Sequence, residues 1–257
     1  MEVVIAENPA DAGSIAATPI VALYGENPRA VLGLATGSTP TTLYDALAQQ
    51  VETNALTLAE ASAYLLDDYV GLAEQHPQRY RNVIDRDFTS KVDIDPARVY
   101  GPDGLADDLV AECADYEQSI AGSGGIDLQI LGVGSNGHIG FNEPGASLES
   151  RTHIETLTTQ TRSDNARFFD GDIDTVPVYG LTQGVATIMD ARHVVVMATG
   201  EHKAEAVRHL AEGPITTSCP GSVLQQHPRA TLVLDPPAAS RLRRGVGQGR
   251  PTGRNAR

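Results

Sequence analysis

Residues 130–145 read ILGVGSNGHIGFNEPG, a stretch in which an apolar run turns abruptly into glycine and polar residues. The apolar start is typical of a buried β-strand, and the glycines permit tight turns and close approach of the backbone to a ligand. Asn136, His138 and Glu143 follow directly after that strand. The stretch therefore predicts a catalytic loop at the end of a buried strand.

The rest of the chain alternates short β-branched runs with helical patterns, which is the layout of a parallel sheet covered by helices. The predicted strands are 31–35, 63–66, 128–133, 193–198 and 231–234, and the predicted helices include 41–51, 105–120 and 201–212. We predict an α/β fold, a Rossmann-like parallel-sheet sandwich with helices on both faces in a single domain. Ligands bind such sheets at the carboxyl ends of the strands.

The domain is expected to end near residue 240, because residues 241–257 hold six arginines and no acidic residue. This composition is typical of a disordered segment. A basic arm can bind nucleic acid, but residues 1–240 carry a charge of −20, which is the total of −14 less the +6 of the tail. We therefore predict a domain at 1–240, a basic disordered tail at 241–257 and no nucleic-acid partner.

The composition also bears on location and on bound metals. The sequence has no run of about 18 apolar residues, so no membrane span is expected, and the start MEVVI lacks the features of a secretory signal. Cys113 and Cys219 lie far apart without metal-ligand spacing, which predicts two free thiols. We expect a cytoplasmic protein with no metal and no organic cofactor.

The chain has 33 acidic residues against 19 basic residues, which suggests a salt-adapted or a GC-rich source. Repulsion among like charges destabilises a folded state, and salt weakens that repulsion by shortening the Debye length. We expect the melting temperature to rise between dilute buffer and molar salt. A melting temperature that stays level or falls would count against a halophilic protein.

The sequence TGSTP at 36–40 follows a predicted core strand. Gly37 permits a turn, Ser38 and Thr39 offer hydroxyl groups, and the start of the next helix favours an anion. These residues alone fit a phosphate-binding loop and an ordinary helix start about equally. Lys203 lies in the first turn of another predicted helix, where a cation opposes the helix dipole and calls for an anionic partner.

Asp67 and Asp68 are predicted to end the strand at 63–66. A partly buried carboxylate at this position can serve as a general base. Neighbouring residues of a strand point to opposite faces, so only one of the two should reach a site there. The other would cap a helix or stabilise a turn.

Four blocks of the sequence, in order, resemble the glucosamine-6-phosphate deaminases, which convert glucosamine 6-phosphate to fructose 6-phosphate and ammonia. They are LATGSTP at 34–40, LDDYVGL at 66–72, the loop at 130–145 and SDNARFF at 163–169. The resemblance covers most of residues 30–235. Four ordered matches are far more specific than one glycine-rich motif.

The resemblance implies two sets of site residues. Gly37, Ser38, Thr39, Arg167 and Lys203 would bind the substrate phosphate. Arg167 lies in a polar segment, 156–177, that could cover the site. The expected partner is a small amino-sugar phosphate, and the chain could form a homo-oligomer.

The second set would carry the chemistry. Asp67 would move a proton from sugar carbon 2 to carbon 1, and His138 would open the sugar ring with Glu143 and Asn136. Some relatives have Asp in place of Asn136, so here this residue would orient its neighbours by hydrogen bonds.

Two other functions are compatible with parts of the pattern. A 6-phosphogluconolactonase also places Gly-His after a glycine loop, although FNEP at 141–144 argues against it. A sugar-phosphate-sensing module without catalysis would keep the phosphate loop. Glucosamine 6-phosphate and its C4 epimer, galactosamine 6-phosphate, both fit as substrates.

Overall fold

The computed structural model describes residues 1–243. The strands of this part are β1 (Glu2–Ile5), β2 (Val31–Leu34), β3 (Ser62–Leu65), β4 (Asp67–Tyr69), β5 (Val99–Tyr100), β6 (Leu128–Gly132), β7 (His153–Thr156), β8 (Tyr179–Thr182), β9 (Val194–Ala198) and β10 (Ala230–Leu234). Its α-helices are α1 (Pro9–Glu26), α2 (Thr41–Glu52), α3 (Tyr80–Asp87), α4 (Leu109–Gly122), α5 (Thr159–Asn165), α6 (Val185–Met189) and α7 (Ala204–Glu212). Short 3₁₀ turns lie at Thr89–Lys91, Pro96–Arg98, Ala166–Phe168, Ile173–Thr175, Glu201–Lys203 and Pro220–Gln226.

The main sheet has seven strands in the order β1-β10-β9-β6-β2-β3-β5, and every neighbouring pair is parallel. The predicted parallel sheet is confirmed, and each predicted strand is found within one residue of its expected ends. All five residues of β9, VVVMA, are buried. Such a continuous apolar run is typical of a parallel strand covered on both faces.

The order of the strands leaves a crevice between β2 and β6. From β2 the chain continues to β3 and β5 at one edge of the sheet, whereas from β6 it continues to β9 and β10 toward the other edge. Because parallel crossovers are right-handed, connections that leave in opposite directions place their helices on opposite faces. The carboxyl ends of β2 and β6 therefore form the topological switch point where such folds bind ligands.

A second sheet, β4-β8-β7, is antiparallel and was not predicted from the sequence. Asp67 and Asp68 were expected to end β3. They instead begin β4, and the single residue Leu66 separates the two strands. The sequence pattern failed here because β4 is only three residues long and polar at its start. The second sheet extends the molecule beyond the carboxyl edge of the main sheet.

Two predicted helices begin later than expected. α4 starts at Leu109 rather than 105, because the Asp108 side chain caps it by accepting from the backbone N–H groups of Val110 and Ala111, each at 3.0 Å. The helix predicted at 201–212 begins as a 3₁₀ turn and becomes α-helical at Ala204.

The predicted tail is described only at its start. Arg241 forms an ion pair with Glu205 of α7, with a distance of 2.7 Å between guanidinium and carboxylate, and residues 244–257 lie outside the described part of the chain. The domain boundary at 240 thus stays a prediction. Among the described helices, none combines the length and the hydrophobicity that a bilayer span requires.

Candidate active site

The loop at 36–40 leaves the carboxyl end of β2 and leads into α2. Gly37 has φ +105°, a left-handed conformation that favours glycine. Pro40 has φ −65° and occupies the N-cap position of α2. The Tyr44 hydroxyl of α2 donates to the Ala35 carbonyl at 2.7 Å, which ties the helix to the end of the strand. The loop thus presents the start of α2 to the crevice.

A cavity of about 430 Å³ opens at this edge of the main sheet. It is lined by residues of the loops after β2, β3, β6 and β9 and of the segment after α5. The candidate residues among them are Gly37, Ser38, Thr39, Asp67, His138, Arg167 and Lys203. Two further candidates, Asn136 and Glu143, do not line the cavity but contact its wall.

One end of the cavity is basic. Lys203 ends the 3₁₀ turn before α7, and Arg167 lies in the turn after α5, with its guanidinium 4.7 Å from the centre of the Phe168 ring. Within residues 1–243, neither cation has an acidic partner within 4.0 Å. Burial lowers the pKa of Lys203; Asp164 opposes this effect and Arg167 adds to it. An anion such as phosphate would stabilise both charges and complete the site.

Asp67 lines the cavity and is 6% exposed. Within the described residues its carboxylate receives no hydrogen bond, so its lone pairs are available to a ligand. Burial, and next the charge of Asp68, raise the pKa of Asp67 well above its usual range. A carboxylate of raised pKa that faces a ligand cavity is suited to accept and return a proton.

Asp68 points away from the cavity, as the strand alternation predicts. Its carboxylate accepts from the backbone N–H groups of Tyr69 and Tyr80, at 2.7 and 2.8 Å. Tyr80 is the first residue of α3, so Asp68 fixes the start of that helix. Burial raises the pKa of Asp68 to about 6, although these two N–H groups and Arg79 lower it in part.

Asn136, His138 and Glu143 form a connected unit after β6. The Asn136 amide donates to Glu143 Oε2 at 3.0 Å, and the Asn136 side-chain oxygen accepts from the His138 backbone N–H at 3.2 Å. Glu143 Oε2 also lies 3.7 Å from Nδ1 of His138. Asn136 therefore orients both neighbours by hydrogen bonds.

The His138 ring is held against Gly134. A Cβ atom on residue 134 would lie 2.2 Å from the imidazole, so glycine is required there. Burial lowers the pKa of His138, Glu143 and Asp164 oppose this shift, and Lys203 adds to it. The lowered pKa favours the neutral imidazole, the form that can act as a base.

The candidate site residues all lie within a part of the chain that matches a known protein family. The sequence model of the family described as glucosamine-6-phosphate isomerases/6-phosphogluconolactonase matches residues 10–233. The chain belongs to this family. The family predicted from the four sequence blocks is thereby confirmed.

Relatives within the glucosamine-6-phosphate isomerase and 6-phosphogluconolactonase family include two bacterial proteins, each 56% identical over 242 residues. These are the glucosamine-6-phosphate deaminases of Beutenbergia cavernae and Mycolicibacterium smegmatis; each alignment covers 94% of this chain and 93% of the relative. A solved monomeric glucosamine-6-phosphate deaminase superposes with a TM-score of 0.91 at 43% identity, over 94% of this chain and all of its own. The 6-phosphogluconolactonase of Leishmania guyanensis, at 22% identity and a TM-score of 0.73 over 94% of this chain and 98% of its own, shares the fold.

Several residues at the site of this family member were not singled out from its sequence. Tyr69 and Tyr80 line the cavity with ring centres 4.8 Å apart, and Asn165 donates to the Tyr69 hydroxyl at 2.8 Å. Tyr69 and Asn165 lie inside two of the four sequence blocks, and this position could have identified them as site residues. Thr158 and Thr161, which contact Glu143 and His138, had no such signal.

Within residues 1–243, no group of three or more His, Cys, Asp or Glu side chains is placed to hold a metal ion. Cys113 and Cys219 are both free and buried there.

Proposed function

We propose that the protein is a glucosamine-6-phosphate deaminase, which converts glucosamine 6-phosphate and water to fructose 6-phosphate and ammonia. One observation carries this proposal: a single cavity joins an unpaired basic end to two separate proton-transfer groups, Asp67 and His138. A sugar that must be opened and then isomerised needs two such groups. The 56% identity to relatives named as this deaminase over nearly their whole length supports the same function.

The phosphate of the substrate binds at the basic end. Gly37, Ser38 and Thr39 offer backbone and hydroxyl donors at the start of α2, and Arg167 and Lys203 supply two positive charges. Binding there fixes the sugar with its reactive carbons toward the rest of the cavity. The phosphate thus provides orientation as well as affinity.

Ring opening is assigned to His138. The neutral imidazole takes the proton of the C1 hydroxyl and returns it to the ring oxygen, which breaks the C1–O5 bond and leaves the open-chain aldehyde. Glu143, held by Asn136, stabilises the imidazolium that forms between the two steps.

Isomerisation is assigned to Asp67. Its carboxylate removes the proton from C2 while a proton of the substrate's ammonium group passes to O1, which forms an enolamine. The carboxyl group then returns its proton to C1, which produces a protonated ketimine at C2. Water adds to the ketimine, and ammonia leaves as fructose 6-phosphate forms. A lactonase needs no base for a carbon-bound proton, so Asp67 favours the deaminase.

An assay of the purified protein tests this function. We expect ammonia and fructose 6-phosphate in equal amounts from glucosamine 6-phosphate, with galactosamine 6-phosphate as the comparison substrate. Hydrolysis of 6-phosphogluconolactone above its spontaneous rate, without ammonia release from either amino sugar, would instead identify a lactonase. Tight binding of the amino-sugar phosphate without turnover would identify a sensing module.

The remaining expectations concern the location, the salt adaptation and the oligomeric state of the protein. A cytoplasmic location, adaptation to salt and a homo-oligomer stay predictions. The related deaminase with a TM-score of 0.91 is monomeric. Light scattering of the full-length chain at assay concentrations distinguishes a monomer from a homo-oligomer.

A further inference from the structure

The short helix α5 lies against the loop that carries His138 and Glu143. Thr158, its N-cap, donates from its backbone N–H and from its hydroxyl to Glu143 Oε1, at 3.2 and 3.1 Å. The same hydroxyl oxygen accepts from the backbone N–H of Thr161 at 3.2 Å. The start of α5 and the Glu143 carboxylate are therefore held together by hydrogen bonds.

Thr161, about one helical turn further along, contacts the imidazole itself. Its hydroxyl oxygen lies 3.5 Å from Nδ1 of His138, and the residue is 2% exposed. The Glu143 carboxylate is slightly farther from the same nitrogen, at 3.7 Å. Within the described part of the chain, Thr161 is the one group within hydrogen-bond distance of the His138 ring. Catalytic hydrogen bonds that are long without substrate commonly shorten in the complex.

The remaining contacts fix the position of Thr161. At the other end of α5, Asp164 accepts from the Ser135 hydroxyl at 2.8 Å, and Asn165 donates to the Tyr69 hydroxyl at 2.8 Å. The helix is thus attached to the catalytic loop and to β4 beyond it. Gly134 supports one face of the imidazole, while Thr161 contacts its edge.

A neutral imidazole is basic at only one of its two ring nitrogens, and the other nitrogen carries hydrogen. We infer that Thr161 is a positioning residue for ring opening: its hydroxyl accepts the Nδ1 hydrogen of His138 and so keeps the basic Nε2 toward the substrate. Thr161 does not touch the reacting atoms and acts through His138. This role rests on the proposed deaminase function.

Three variants of Thr161 test the role. Thr161→Val removes the hydroxyl at nearly constant shape, and Thr161→Ala removes it without added bulk should the valine variant fail to fold. Thr161→Ser keeps the hydroxyl. We expect Val and Ala to lower turnover of cyclic glucosamine 6-phosphate about tenfold or more, since small errors in the placement of an acid–base group have effects of this size. The KM should change little, and Ser should retain most of the turnover.

The comparison reaction is proton exchange on an open-chain sugar phosphate, which needs Asp67 but no ring opening. We expect Thr161→Val and Thr161→Ala to leave this exchange within about twofold of the parent protein, because the base is unchanged. The matched control is Thr187→Val, since Thr187 is a buried threonine whose hydroxyl donates to Glu117 at 2.5 Å, outside the cavity lining. It should leave both reactions within about twofold.

Two results would overturn the inference. Normal turnover of the cyclic substrate by Thr161→Ala or Thr161→Val would mean that the hydroxyl is not needed, and equal losses in both reactions would mean that Thr161 supports the whole site. Failure of the proposed function is separate, because the parent protein itself would then release no ammonia.

Discussion

Replacing Asp67 by Asn should lower the turnover of glucosamine 6-phosphate by about three orders of magnitude or more while substrate binding persists. The amide has the shape of the carboxylate but cannot accept the C2 proton. Of the two adjacent aspartates, Asp67 is the one that lines the cavity, and the phosphate-binding residues lie on other segments. Steady-state kinetics and a direct binding titration of the same preparation would measure the two effects.

Asp68→Asn is the matched control for this prediction. Asp68 faces away from the cavity and accepts from two backbone N–H groups, contacts that the oxygen of an asparagine can keep. Its turnover should stay within about tenfold of the parent value. Near-normal turnover of Asp67→Asn together with a large loss in Asp68→Asn would transfer the base to Asp68.

Replacing His138 by Gln should slow deamination of the cyclic sugar by about two orders of magnitude or more, which is the usual worth of a general acid–base group. Proton exchange on an open-chain sugar phosphate should change far less, because that step belongs to Asp67. The ratio of the two rates, followed by ammonia release and by deuterium incorporation, measures the effect. Equal losses would mean that His138 serves the whole site rather than ring opening.

His153→Gln provides the control for the imidazole. His153 lies in β7, outside the cavity lining, and pairs with Glu155 at 3.3 Å. Glutamine can keep a hydrogen bond to that carboxylate, so both reactions should stay close to the parent rates. Any loss shared by His138→Gln and His153→Gln would point to a general effect of replacing histidine.

The main sheet was predictable because its strands carry the signal themselves. A continuous buried run such as VVVMA in β9 is typical of a parallel strand that is covered on both faces. The second sheet has no such pattern. In β4 two aspartates are buried, one facing the cavity and one fixing the start of α3, and β7 alternates between half-buried and exposed residues. Pairing with β8, which lies between them in the sheet and far from β4 in sequence, decides that these residues form strands.

The candidate site likewise contains residues that the sequence pattern marks and residues that it does not mark. His138 could be found because glycines mark the loop after β6, and Asp67 could be found because it follows the predicted strand β3 after one residue. Thr161 could not be found, because a neutral hydroxyl in a polar segment has no pattern of its own. Its significance comes only from His138, 23 residues away in the chain.

The two adjacent carboxylates at the start of β4 also affect the folding equilibrium. Burial raises the pKa of Asp68 from 3.8 to about 6 and shifts the pKa of Asp67 in the same direction. A carboxyl group whose pKa is higher in the folded state favours folding below pH 3.8, and that advantage is lost as the pH rises through about 6. Ionised Asp68 alone therefore lowers the free energy of unfolding at pH 7 by roughly 3 kcal/mol relative to acid. At neutral pH the strand that supplies the base therefore destabilises the folded state. The Asp67→Asn protein should melt at a higher temperature than its active parent. A lower melting temperature would contradict this expectation.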